Sequence, residues 1–204
     1  MLGVIDYGYG NVGSVLNMFS KVGVWAEIVD SPEKIKQMKA IILPGVGAFD
    51  TGVKELKERG FWDAIKYHVE VDKKNILGVC LGMQLLFEGS EEGELPGFGW
   101  LPGKVERFDA SVVPRIPHIG WQPLQIQPLG ESLFEDIQNP EYYFVHAYHA
   151  PRDLDVKHVA AYCHYGYSFP ASVKNNNVLG MQFHPEKSLS AGMSLLKNFS
   201  TSIT

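Results

Sequence analysis

Apolar positions along this chain fall into two textures. Up to about residue 90, short apolar runs alternate with stretches patterned at helical spacing. Residues 2–6, 24–30, 40–43 and 75–77 read as strands, apolar enough to be buried in a covered sheet. Between them, Val15, Leu16, Phe19 and Val22 recur on one helix face. Val53, Leu56, Phe61, Ile65 and Val69 do the same over 50–71, as one helix or as two broken near Gly60. Ser31-Pro32-Glu33 opens a short helix, with Ser31 at the cap and Pro32 at the first position. Residues 83–88 have helical composition after the fourth strand. The order β-α-β-α-β-α-β-α predicts an α/β fold: a central, mainly parallel sheet, right-handed crossovers and helices on both faces.

Beyond residue 90, Pro and Gly become frequent and strand-like runs replace helices. These runs cover 104–108, 122–126, 142–148, 159–165 and 171–174, giving a β-rich C-terminal half. Asn175-Asn176-Asn177 is a turn signal that makes 171–183 a hairpin. Residues 132–137 read as a short helix. An amphipathic helix over 189–199 closes the chain, with Met193, Leu195, Leu196 and Phe199 facing inward.

Composition narrows the functional classes. A length of 204 residues is most simply one domain, 1–204, and 45% hydrophobic residues is ordinary for a globular chain. The net charge of −5 and the lack of a basic run argue against a nucleic-acid surface. No apolar run reaches membrane-spanning length, and the N-terminus lacks the basic segment of a signal peptide. Two cysteines, Cys80 and Cys163, are too few for a disulfide framework, which fits a reducing cytoplasm.

Three stretches carry candidate chemistry. Residues 8–13 match G-x-G-x-x-G after a strand, and Asp30 ends the next strand where a dinucleotide fold places its ribose-binding acid. A plain glycine-rich turn explains the pattern better than a dinucleotide-binding module, since nothing later supplies hydride chemistry. Gly45-Val46-Gly47 follows the third strand, where backbone N–H groups can be aimed at a ligand. Cys80, between Gly78 and Gly82 at a strand-to-helix junction, has the form of a nucleophile elbow with Cys in place of Ser. The following helix start would aim free N–H groups and partial positive charge at the sulfur.

A thiol nucleophile needs a base, and the base needs an orienting acid. His184-Pro185-Glu186 supplies both if the segment is extended, because residues two apart then point to one side. Among the other histidines, His68 reads as a solvated or boundary residue on a helix face. His158 and His164 lie at strand ends and read as structural. Metal-ligand spacings of the H-x-x-x-H or C-x-x-C type are absent, so no metal is expected.

Gly78-Val79-Cys80-Leu81-Gly82-Met83-Gln84 together with Phe183-His184-Pro185-Glu186-Lys187-Ser188 resembles the class I, triad-type glutamine amidotransferases. The resemblance extends over nearly the whole chain through Asp6-Tyr7-Gly8, Pro44-Gly45-Val46-Gly47-Ala48-Phe49, Pro117-His118-Ile119-Gly120-Trp121 and Tyr143-Phe144-Val145-His146. Within the family these segments look most like the glutaminase subunit of imidazole glycerol phosphate synthase, of histidine biosynthesis. The resemblance implies a flavodoxin-like amidotransferase domain without a cofactor. It implies that Cys80, His184 and Glu186 act as nucleophile, base and orienter on L-glutamine. It also implies an oxyanion hole from the backbone at Val46, Gly47 and Leu81, and glutamine binding by Gly47, Gln84, Ala147 and Tyr148. Trp121 and Lys187 match positions facing a (β/α)8-barrel synthase in a heterodimer. Gly97-Phe98-Gly99-Trp100 and 165–170 look closer to a paralogous branch that supplies ammonia for amidino or amino sugars of bacterial surface polysaccharides.

Overall fold

A computed structural model describes residues 1–203. The first half runs β1 (Leu2–Ile5), α1 (Val12–Lys21), β2 (Ala26–Val29), β3 (Ala40–Gly45), α2 (Phe49–Glu58), α3 (Phe61–Lys66), β4 (Asn75–Cys80) and α4 (Leu81–Gln84). The second half runs β5 (Phe87–Ser90), β6 (Leu101–Arg107), β7 (His118–Ile126), β8 (Glu141–His146), β9 (Tyr148–His149), β10 (Val159–Tyr165), β11 (Tyr167–Asn175), β12 (Val178–Met181) and α5 (Leu189–Thr201).

Nine strands form one sheet in the order β2-β1-β3-β4-β12-β11-β10-β7-β8. It is parallel from β2 through β12 and antiparallel from there to β8. The two sequence textures are therefore two ends of one sheet. The buried strands have two apolar faces, and their alternation sorts side chains between two cores. Leu2, Val4, Ala40, Ile42, Leu77 and Val79 join α1 and α5 on one side. Ile5, Ile41, Leu43 and Ile76 join α2, α3 and α4 on the other. Strands β5, β6 and β9 form a separate small sheet.

The hairpin over 171–183 forms as expected, with Asn175 opposite Val178 and Asn176 in the left-handed region at φ 54°. Gly60, at φ 75°, separates α2 from α3. Four expectations fail. Residues 83–88 are not a helix: α4 is one turn, because the carbonyls of Leu86, Phe87 and Glu88 accept from the backbone of 97–101 instead. Residues 132–137 form turns stapled to Gly130. The helix after Ser31 is a 3₁₀ segment, Pro32–Gln37, and the Ser31 side chain makes no cap bond. His68 is buried, because 67–71 form a π-type turn in which the Asp72 N–H reaches back to the Tyr67 carbonyl. That wider turn points Tyr67 out and His68 in, and burial drives the His68 pKa down to about 4.

The glycine-rich first turn has a structural cause. A Cβ on Gly10, at φ 117°, would meet Pro44 at 3.0 Å, so the chain passes too close to β3 for a side chain. Asp30 is exposed and pairs with Lys34 at 2.8 Å. Among the described residues, no helix is long and apolar enough to cross a membrane, and no three His, Cys, Asp or Glu side chains cluster to hold a metal.

Candidate active site

The carboxyl ends of β3, β4 and β12 lie side by side, with Gly45 opposite Cys80 and Met181 opposite Val79. Each strand delivers one piece of a pocket there. Cys80 sits at φ 55°, ψ −110°, a strained backbone for a residue with a Cβ. Two glycines make this bend possible. A Cβ on Gly82 would overlap the Leu43 carbonyl oxygen, and one on Gly78 would press on the Gly82 carbonyl. Leu81 begins α4, so its N–H is among those a helix leaves without an internal partner.

β12 delivers His184. Its backbone is fixed to β8, the N–H donating to the Tyr143 carbonyl at 2.9 Å. Ser188 Oγ donates to the His184 carbonyl at 2.6 Å and accepts the Tyr143 N–H at 3.0 Å. His184 Nδ1–H donates to Glu186 Oε1 at 2.7 Å, with both side chains 3% exposed. The route to this pair differs from the expected one. Pro185–Lys187 is a 3₁₀ turn rather than an extended segment, and it curls Glu186 back under the ring. Burial would lower the His184 pKa, but hydrogen bonding and charge from Cys80 and Glu186 outweigh it and raise the value to about 9. With Nδ1 committed to Glu186, the buried Nε2 is the ring nitrogen left for Cys80.

Cys80, Leu81, Gln84 and His184 line one cavity of about 260 Å³ with Val46, Gly47, Val145, His146, Ala147, Tyr148 and Glu92. That volume lies below the roughly 300–1,000 Å³ of pockets for drug-sized ligands, and it suits a molecule of amino-acid size. All eight predicted catalytic and pocket positions other than Glu186 line it directly, and Glu186 stands behind His184. At Ala147 the chain leaves the large sheet for the small one, so the 142–148 run splits into β8 and β9 and its backbone is presented at the pocket. Trp121 and Lys187 lie outside the cavity. Trp121, 40% exposed, meets the Tyr143 ring edge-on at 6.0 Å, and Lys187 Nζ lies 5.6 Å from the same ring.

Three groups were not legible as site residues. Glu92 is the one carboxylate lining the cavity, and its Oε2 accepts the Phe49 N–H at the start of α2, which fixes it at the rim. Gln182 is fully buried and donates from Nε2 to Cys80 Sγ at 3.8 Å. His146 donates from Nδ1 to the Tyr148 carbonyl at 2.7 Å, which also accepts from Gln84 Nε2 at 3.0 Å. A polar residue at a core-facing strand position was the available signal for Gln182 and His146. Glu92 gave none, lying in an acidic, exposed loop.

The family description "Glutamine amidotransferase class-I" matches residues 3–203. The chain is 44% identical over 202 residues to "Imidazole glycerol phosphate synthase subunit HisH 2" of Pseudomonas aeruginosa, covering 98% of both chains. It is 44% identical over 204 residues to "Imidazole glycerol phosphate synthase subunit HisH" of Sulfurimonas denitrificans, covering 98% of this chain and 97% of the other. A solved structure described as "Crystal structure of glutamine amidotransferase" superposes with a TM-score of 0.77 at 26% identity, covering 99% of this chain and 98% of that one.

Proposed function

Because the chain belongs to the class I glutamine amidotransferase family, we propose that it is the glutaminase subunit of imidazole glycerol phosphate synthase in histidine biosynthesis. In this reading residues 1–204 act as one cytoplasmic domain that hydrolyses L-glutamine to glutamate and ammonia. The observation that carries it is a strained, glycine-flanked Cys80 beside a buried His184–Glu186 pair in a cavity of amino-acid size.

The chemistry follows from that placement. Held protonated up to about pH 9 beside Cys80, His184 is set to donate a proton to a leaving group. Cys80 Sγ attacks the side-chain amide carbon of glutamine, and His184 gives a proton to the departing ammonia. The resulting γ-glutamyl thioester is opened by water, whose proton returns through His184 to the sulfur. Glu186 keeps the ring oriented throughout. Each addition forms an oxyanion, met by the Leu81 N–H and by an N–H of the Val46–Gly47 segment. Gly47, Gln84 and the backbone of Ala147 and Tyr148 hold the substrate, with its α-carboxylate at 147–148. Glu92 is placed to receive the α-ammonium, the one cationic group such a substrate carries.

Ammonia then passes to a (β/α)8-barrel synthase partner in a heterodimer, docked over Trp121, Tyr143 and Lys187. The names of the relatives, both subunits of imidazole glycerol phosphate synthase, support this over the surface-sugar paralogue. Waste of glutamine is limited if the oxyanion donor is gated. Gly45 is hemmed in, its Cβ position lying 2.7 Å from the Tyr7 hydroxyl, whereas Gly47, at φ 103°, has nothing closer than Tyr9 at 3.9 Å. Rotation at the Val46–Gly47 peptide is the free movement, and losing one oxyanion donor costs roughly 10²–10³ in rate. Glutamate release should therefore be weak for the isolated chain and rise by about that factor with the barrel synthase and its acceptor ligand. Cys80→Ser should abolish it. Undiminished turnover in that variant would overturn the assignment, and full activity without any partner would reject the gate.

A further inference from the structure

We propose that Gln182 is a positioning residue for the nucleophile: its side-chain amide holds the Cys80 sulfur toward His184 and favours the sulfur in its reactive, ionised form. This rests on the glutaminase reading above. The position is set by strand alternation. Leu179, Met181 and Phe183 enter one core, so Gln182 points to the opposite face, where α4 packs. A carboxamide with no solvent exposure costs free energy unless its hydrogen bonds are met, and here each end has a defined partner.

The partners also settle which way the amide faces. Gln84 Nε2 donates to Gln182 Oε1 at 3.1 Å, so the carbonyl end of Gln182 is committed to Gln84. Gln84 is fixed in turn by donating to the Tyr148 carbonyl at 3.0 Å. The remaining NH₂ end of Gln182 faces Cys80 Sγ at 3.8 Å. A donor of this kind suits a thiolate better than a thiol, because hydrogen bonding to the charged form favours it. Being uncharged, the amide does not compete with His184 for the proton. His184, with Glu186 behind it, is then the base for the sulfur; Glu92 and His146 line the same cavity, and burial raises the Tyr7 hydroxyl far out of range. A merely structural Gln182 would fill the same space without acting on the sulfur.

Gln182→Met separates the two roles, keeping length and volume while removing the donor. Iodoacetamide reports on Cys80 without a partner subunit, and Cys163 stays silent because burial pushes its thiol up to about 12. In the wild type, Cys80 should alkylate rapidly at neutral pH. In Gln182→Met, the neutral-pH rate should fall about tenfold and the pH of half-maximal rate should rise by about one unit. With the synthase partner present, kcat should fall about tenfold while KM for glutamine stays within about threefold. Gln182→Glu, of nearly the same shape, turns the donor into an acceptor and should shift the profile further. If Gln182→Met fails to fold, the Gln182→Glu profile decides in its place. A wild-type alkylation profile in a folded variant would overturn the proposal alone. An unreactive Cys80 in the wild type would overturn the glutaminase reading, and this inference with it.

Discussion

Two regions of this molecule bury histidines, and they treat them in opposite ways. At the active site, His184 faces a carboxylate at 2.7 Å and its pKa is raised to about 9. Under the β-rich half, His118, His149 and His146, which also reaches the active-site cavity, pack around Phe108, Phe144 and Phe169 with no carboxylate hydrogen-bonded to any of the three. Burial lowers His118 and His149 to about 4 and drives His146 well below its ordinary value. Their bonds are those of neutral rings. His146 gives its Nδ1 proton to the Tyr148 carbonyl, so its Nε2 must accept from His118 Nδ1, at 3.0 Å. His149 donates to the Ala150 carbonyl at 2.7 Å and accepts from the Tyr167 hydroxyl at 3.0 Å. The lesson is that desolvation alone makes a histidine a polar core residue. A charge partner close enough to outweigh desolvation makes it a base.

The largest expected break in this symmetry is chemical. His184→Ala should lower glutaminase turnover, measured with the synthase partner, by about 10³ or more, and should leave the fold intact. Glu186→Gln keeps a hydrogen-bonding group under the ring but removes the charge, so the loss should be smaller, on the order of 10². The same operation on the neutral region should move stability instead. His118 lies between Phe144, at 4.8 Å, and Tyr165, at 3.9 Å, both near-parallel. His118→Phe preserves the stacking and strands His146 Nε2, so denaturant unfolding should show a loss of about 1–3 kcal/mol. Turnover should stay within about tenfold of wild type. A variant of His118 that kills catalysis without destabilising would show that the two regions are not separate in kind.

The same contrast explains what the sequence disclosed. Cys80 was legible because two glycines mark a backbone that a Cβ would obstruct, and His184-Pro185-Glu186 because base and acid are neighbours in the chain. Strand order in the parallel half followed from apolar runs and their alternation with helices. The α4 segment misled because the carbonyls of residues 85–88 are claimed by the loop at 97–100 and the start of β6 beyond it in sequence. Gln182 and the histidine pair looked like strand residues, since their partners lie 98 and 28 positions away. His68 misled because no local pattern marks a π-type turn. Local backbone demands can be read from neighbours, whereas polar contacts across a sheet need the sheet.

The smallest expected effect is also the sharpest test, because the two regions should give pH limbs of opposite sign. His118 and His149 have folded-state values near 4, below the roughly 6.5 of an unfolded histidine, and His68 behaves alike. As pH falls from about 6.5 toward 4, the unfolded chain takes up protons that the native cluster refuses, so this stability is complete above 6.5 and drains away in acid. His184 runs the other way. Its folded-state value of about 9 means that the native state holds a proton longer than the unfolded chain. That contribution is complete below about 6.5 and is lost as pH rises through 9. The melting temperature should therefore fall on both sides of near-neutral pH, for unrelated reasons. His118→Phe should shallow the acid limb, and Glu186→Gln should flatten the alkaline one. Thermal melts across this range would reject the account if either substitution left its own limb unchanged, or if both limbs moved together in one variant.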